Sequence, residues 1–192
     1  MHTKQIECYT YEELSPEGKE RALEKHREIN MEMGIDWWEN DWYVERAREY
    51  GFGADYDNLC FDIYHGYAYF TELELADNFW DLYIKWLIQC KVQPSIIVDL
   101  MMLADNLIIS IGSIRERGND VSVECEDNIY DDYKEFEKQF DIAENLGEYI
   151  QQLNGEILKS LKEQEEYLYS DEAVADTLIA NECEFDADGN IL

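Results

Sequence analysis

"KEFEKQFDIAENLGEYIQQLNGEILKSLKEQEEYL", residues 134–168, decides the fold. Phe136, Phe140, Ala143, Ile150, Ile157, Leu161 and Leu168 keep a spacing close to that of a helix across it. Such a period turns one apolar stripe inward and leaves the charged residues outside, so the stretch predicts one long amphipathic helix. Gly147 and Gly155 weaken the pattern locally, glycine being a poor helix former. An apolar stripe of this length needs a covering layer, and the rest of the chain offers one.

Just upstream, "LIISIGSIRERGNDVSVECE" (107–126) alternates as a hairpin, with Gly118-Asn119-Asp120 in the predicted loop and Val121, Val123 and Cys125 alternating after it. "NLCFDIYHGYAYFTELEL" (58–75) reads as two strands around a tight turn at His65-Gly66. "QIECYTY" (5–11) is a first strand, with Ile6 and Cys8 on one face. Between these lie helical patterns. Ser15 and Pro16 open one that turns Ala22, Leu23, His26 and Ile29 or Asn30 inward and stops near Gly34. A second runs from an Asp36 N-cap to Gly51. Phe79, Tyr83, Trp86 or Leu87, and Cys90 mark a third, and Pro94 starts a fourth, through Leu103 or Leu107. Ser170 caps a last short helix to about Asn181, followed by a terminal strand and turn in "CEFDADGNIL" (183–192). The expected fold is a single α+β domain over 1–192, an antiparallel sheet packed against helices with one dominant helix in the C-terminal half.

The chain has 45 Asp and Glu against 15 Lys and Arg, a formal charge of −30. That charge repels phosphate, which argues against direct nucleic-acid binding and against docking on anionic lipid. Basic proteins and cations are the partners it favours. Aromatic residues make up 14% of the chain, unlike disordered acidic chains. Cys8, Cys60, Cys90, Cys125 and Cys183 are odd in number and scattered singly, and residues 1–10 lack the apolar core of a signal peptide. Free thiols in a reducing cytoplasm are expected. Asp99 and Asp105 interrupt the most apolar stretch, "SIIVDLMMLADNLIISI" (95–111), which reads as core rather than a membrane span.

No motif for chemistry emerges. "DADGN" (186–190) resembles part of a calcium loop, but the ligands such a loop spreads over twelve residues do not follow, so it reads as an Asp-Gly turn. His2, His26 and His65 lack a second ligand at metal spacing, and a Cys60–His65 pairing has no sequence signature. There is no G-x-S-x-G, P-loop or G-x-G-x-x-G. No catalytic residue, metal or cofactor is expected.

The acids have a geometry. Glu137, Asp141, Glu144 and Glu148 recur at helix-neighbour spacing, one carboxylate about every 5–6 Å along one side. Duplex phosphates are also a regular line of fixed charge, which such a row can imitate. A solvated helix face gives the same pattern. Residues 163–190 hold ten carboxylates and no Lys or Arg. Glu163, Glu165, Glu166, Asp171, Glu172 and Asp176 form this second candidate row. Trp38 and Trp42, one turn apart, are a candidate aromatic interface. Phe79, Trp80, Tyr83 and Trp86, flanked by Asp77 and Asp81, read as core anchors or a protein interface rather than base-stacking rings.

"YTYEELSPEGKERALEKHREIN" (9–30), "DWWE" (36–39) and "SDEAVADTLIANECEFDADG" (170–189) resemble a family of small acidic bacteriophage and prophage proteins. The resemblance implies a phage setting in a bacterial cytoplasm and carries no catalytic residues. Phages make acidic proteins that occupy the nucleic-acid sites of restriction, CRISPR and other host enzymes. The expected function is therefore non-enzymatic inhibition of a basic, nucleic-acid-handling host protein. An antitoxin-like partner of a basic toxin is the alternative, and a small hydrolase or nucleotide-binding enzyme the third.

Overall fold

The computed structural model describes residues 7–32, 41–114 and 118–192. In chain order the elements are β1 (Tyr9–Thr10), α1 (Pro16–Lys25), α2 (Ile29–Glu32), α3 (Asp41–Glu49), β2 (Phe52–Gly53), β3 (Leu59–Asp62), β4 (Tyr67–Phe70) and β5 (Glu74–Leu75). There follow α4 (Phe79–Gln89), α5 (Pro94–Leu103), β6 (Leu107–Ile114), β7 (Gly118–Cys125), α6 (Tyr130–Glu137), α7 (Ile142–Leu168), α8 (Asp171–Ala180) and β8 (Glu184–Phe185). The fold is mixed helix and strand, as the periodicities predict, with a 27-residue helix in the C-terminal half. The strands do not join one sheet. Among the described residues they pair as four two-stranded antiparallel ladders, β1–β8, β2–β5, β3–β4 and β6–β7. No helix among those residues is long and apolar enough to cross a membrane.

The chain gathers into two compact units, one from residues before 39 and after 161, the other from 39–161. In the first unit the Ser15 hydroxyl accepts the Gly18 N–H at 3.1 Å and Pro16 opens α1. Ala22 and Ile29 turn inward with Leu14, Val174, Leu178 and Phe185. α1 ends at Lys25, and α2 places Asn30 in the interior, 2% exposed. Asn30 donates to the Leu168 carbonyl at 2.7 Å and accepts from the Thr177 hydroxyl at 2.5 Å. Arg27 donates to the Tyr169 carbonyl at 3.0 Å and pairs with Asp171. These bonds satisfy carbonyls that the end of α7 leaves open. The "DADGN" segment is a turn, closed by Asp186 accepting the Asp188 and Asn190 N–H groups at 2.9 and 3.0 Å. Gly189 has φ +77, and a Cβ there would lie 2.8 Å from the Ala22 nitrogen, so only glycine lets the turn rest on α1. Ile6, the Gly34 stop, the Asp36 cap and His2 lie outside the described residues.

The second unit is built on aromatics. Phe79 stacks on Tyr83 with centroids 5.5 Å apart, and Tyr83 on Trp86 at 5.8 Å. Tyr149 meets Tyr50, Tyr83 and Trp86 at 5.0–5.4 Å, and its hydroxyl donates to the Tyr50 carbonyl at 3.1 Å. Of the second aromatic group Phe79 and Tyr83 are core, and Trp80 and Trp86 are half-buried beside them. β3 and β4 turn at His65-Gly66 as expected. The β6–β7 register pairs Ile114 with Gly118, so Gly118-Asn119-Asp120 belongs to β7 rather than to the loop. Asn119 explains the shift: its amide donates to the Phe70 carbonyl at 2.8 Å and accepts from Asn154 at 3.0 Å, contacts that hold it in the ladder.

The predicted long helix is divided. α6 stops at Glu137, and Asp141 starts α7 afresh by accepting the Glu144 N–H at 2.9 Å. The apolar period runs through this break because Phe136 and Phe140 are both buried on either side of the turn, rings 5.8 Å apart. Ile150, Ile157 and Leu161 face inward as predicted, joined by Ile142, Leu146 and Leu153. Changing Phe140, Ile150 or Ile157 to Ala should each lower the unfolding free energy by about 2–5 kcal/mol. Urea denaturation reads this directly, and near-neutral values for all three would remove them from the core. Gly147 and Gly155 stay helical, and a Cβ at either would meet nothing within 4 Å. Gly→Ala at each should therefore stabilise by about 0.5–1 kcal/mol, checked as a rise in the same denaturation midpoint.

Candidate functional site

β7 and the first turns of α7 enclose an open cleft of about 430 Å³. Its carboxylates are Asp120, Asp141, Glu144 and Glu148, with the amides of Asn119 and Gln151 beside them. Each is placed by local structure. Asp120 stands on the ladder opposite Gly112. Asp141 is held by its capping bond to Glu144 N–H, which also fixes where Glu144 leaves the helix. Glu148 follows Glu144 one turn later. Gly147 between them adds no side chain, which keeps the wall open. The Asn119–Asn154 bond ties the hairpin to α7.

Among the described residues no Lys or Arg lines this cleft and none of its four carboxylates is ion-paired. Elsewhere the chain does neutralise its acids. Glu156 accepts from Arg46 at 2.6 Å and from the Tyr50 hydroxyl at 2.8 Å. Burial pushes Glu156 up, but those hydrogen bonds outweigh it and hold the carboxyl below its usual range. Glu137, expected in the same row as Asp141, belongs to α6 and bonds Lys134 at 2.5 Å, which lowers its pKa. The row is therefore Asp141, Glu144 and Glu148, with Asp120 opposite instead of Glu137. The sequence pattern places Gly118-Asn119-Asp120 in a loop and so gives no sign of Asp120. The alternation of Val121, Val123 and Cys125, carried one step further back, was the available signal.

Some of the tail acids are paired with cations from the start of the chain. Asp171 is paired with Arg27, and Asp188 lies 3.4 Å from Arg21. Lys25 donates to the Asp188 carbonyl at 2.9 Å and to Asn190 at 2.7 Å. Asp171 and Glu172 also occupy the first turn of α8, where negative charge favours the helix end. Glu163, Glu166 and Asp176 are exposed, and Glu165 is half-buried. Trp42 is 38% exposed and meets Tyr43 edge-on at 5.3 Å. Trp38 lies outside the described residues, so its stacking on Trp42 does too.

Like charges gathered without a counter-charge repel one another, and a cation entering the cleft relieves that repulsion. A guanidinium suits the site, since its planar fork donates to carboxylates and amide oxygens together. Among the described residues no three His, Cys, Asp or Glu side chains gather as a metal would require. No family model, curated protein or solved structure matches the chain.

Proposed function

We propose that the chain is a non-enzymatic accessory protein of a phage or prophage, acting in the bacterial cytoplasm. It binds a basic, nucleic-acid-handling host protein and blocks the surface where nucleic acid would lie. The observation that carries this reading is the cleft, in which the described residues supply four carboxylates and no cation. The net charge of −30 supports it as a source of long-range attraction. Arg or Lys side chains that normally grip phosphates would enter the cleft and bind its carboxylates. The resemblance of the chain's two ends to small acidic phage proteins supplies the setting.

The test is capture from bacterial lysate on the immobilised chain, at physiological and at high salt. The retained protein should be basic, should elute at high salt, and should lose its nucleic acid when the chain is added. A captured protein that holds chain and nucleic acid together would overturn the proposal. A captured basic toxin would place the chain with antitoxins instead.

A further inference from the structure

Residues 82–114 contain two Lys, two Asp and no other charged side chain, in a chain that elsewhere is overwhelmingly acidic. The same stretch leaves large apolar side chains in solvent. On α5, Val98, Met101 and Met102 are 55%, 57% and 75% exposed. Their spacing puts them in one stripe, while Ile97, Leu100 and Leu103 of the same helix are buried. Ile88 on α4, which packs against α5, is 58% exposed. Lys85, Lys91, Asp99 and Asp105 are exposed, and none makes an ion pair among the described residues.

We propose that this stripe of α5 is a docking surface for a second copy of the chain, related by a two-fold axis. The charge distribution selects that occupant. A basic partner finds no net negative charge here to attract it. A second copy is repelled by acidic surfaces, but not by a stretch with equal numbers of both signs. A two-fold contact sets one patch against itself. The lysines of one copy are then offered to the aspartates of the other, around a buried apolar centre. Methionine side chains suit such a centre because they are unbranched and adapt to the facing surface. The contact uses no residue of the acidic cleft, so it is independent of the proposed inhibition.

Sedimentation velocity on the purified full chain, over a range of micromolar concentrations, tests this. A species of twice 22.8 kDa should form. It should strengthen at high salt, where repulsion between the two acidic bodies is screened. The double variant Met101→Glu and Met102→Glu should weaken association by roughly 30-fold or more, as loss of an interface anchor does. Met101→Leu with Met102→Leu should not. Lys85→Glu with Lys91→Glu should also weaken it, and adding Asp99→Lys with Asp105→Lys should restore it. Circular dichroism checks that each variant is folded, and the charge-swap series stands alone if the Glu pair is not. A chain monomeric throughout, or a dimer indifferent to both series, overturns the proposal.

Discussion

Asp120→Lys, Glu144→Lys and Glu148→Lys combined with Asp141→Asn should cut the rate of association with the proposed basic partner by roughly 10- to 1,000-fold. The reasoning is electrostatic. Encounter between a strongly acidic chain and a basic surface is steered by opposite charge, and that steering depends on the sum of charges. One exposed pair contributes only about 0–1 kcal/mol, so any single reversal should do little. Asp141 is changed to Asn rather than Lys because its side chain caps α7, and Asn is as good a cap. Stability should hold or rise, since the changes relieve repulsion among uncompensated carboxylates. The variant's residual binding should also be less sensitive to salt. Reversing Glu163, Glu165 and Glu166 is the comparison, expected to have the smaller effect. Stopped-flow association at two salt concentrations reads all of this. Binding that survives both the cleft variant and high salt would falsify the electrostatic reading and return attention to the Trp42 surface.

Gly51→Ala should be among the most damaging single changes in the second unit. Gly51 ends α3, its N–H donating to the Arg48 carbonyl at 2.9 Å, and it does so at φ +82. A residue with a side chain costs about 1–2 kcal/mol in that left-handed conformation. A Cβ would also stand 2.7 Å from the Phe79 Cα, which is backbone and cannot swing aside. Overpacking of this kind costs about 1–3 kcal/mol more. The strain falls on Phe79, whose ring lies 5.4 Å from Phe52 and 5.5 Å from Tyr83, so the aromatic core is disturbed with it. Typical domains have only about 5–15 kcal/mol in total. The measurements are the urea midpoint and the near-ultraviolet circular dichroism of the packed aromatics. A loss below about 1 kcal/mol would show that the segment at Phe79 shifts easily, contrary to the packing argument.

What was legible in the sequence was local. The Ser15–Pro16 start of α1, the Pro94 start of α5, the His65-Gly66 turn and the Ser170 cap each depend on a few adjacent residues, and each stands where the pattern put it. The α6–α7 break was harder, because buried Phe136 and Phe140 continue the apolar period across it. Asp141 three residues before Glu144 was the local sign of a new helix start. The ladder between β1 and β8 and the Arg21, Arg27 and Lys25 contacts to the tail could not be read from spacing, since both depend on residues far apart in the chain. For the same reason the tail looked uncompensated. The cleft was half legible: its α7 wall followed from period, whereas Asp120 required the hairpin register.

The pairing of the two chain ends also dictates an order of events at the ribosome. Arg21 and the Asp188 carbonyl that it reaches are separated by 167 residues. At elongation rates of about 5–20 residues per second, the early segment emerges roughly ten to thirty seconds before its partner exists. Through that interval Tyr9, Leu14, Ala22 and Ile29 have no Val174, Leu178 or Phe185 to cover them. Residues 39–161, whose internal contacts are all made earlier in synthesis, can fold first. Residues 162–192 then close the other unit around a segment that has been waiting, so the nascent chain is most open to proteolysis and to chaperones until they emerge.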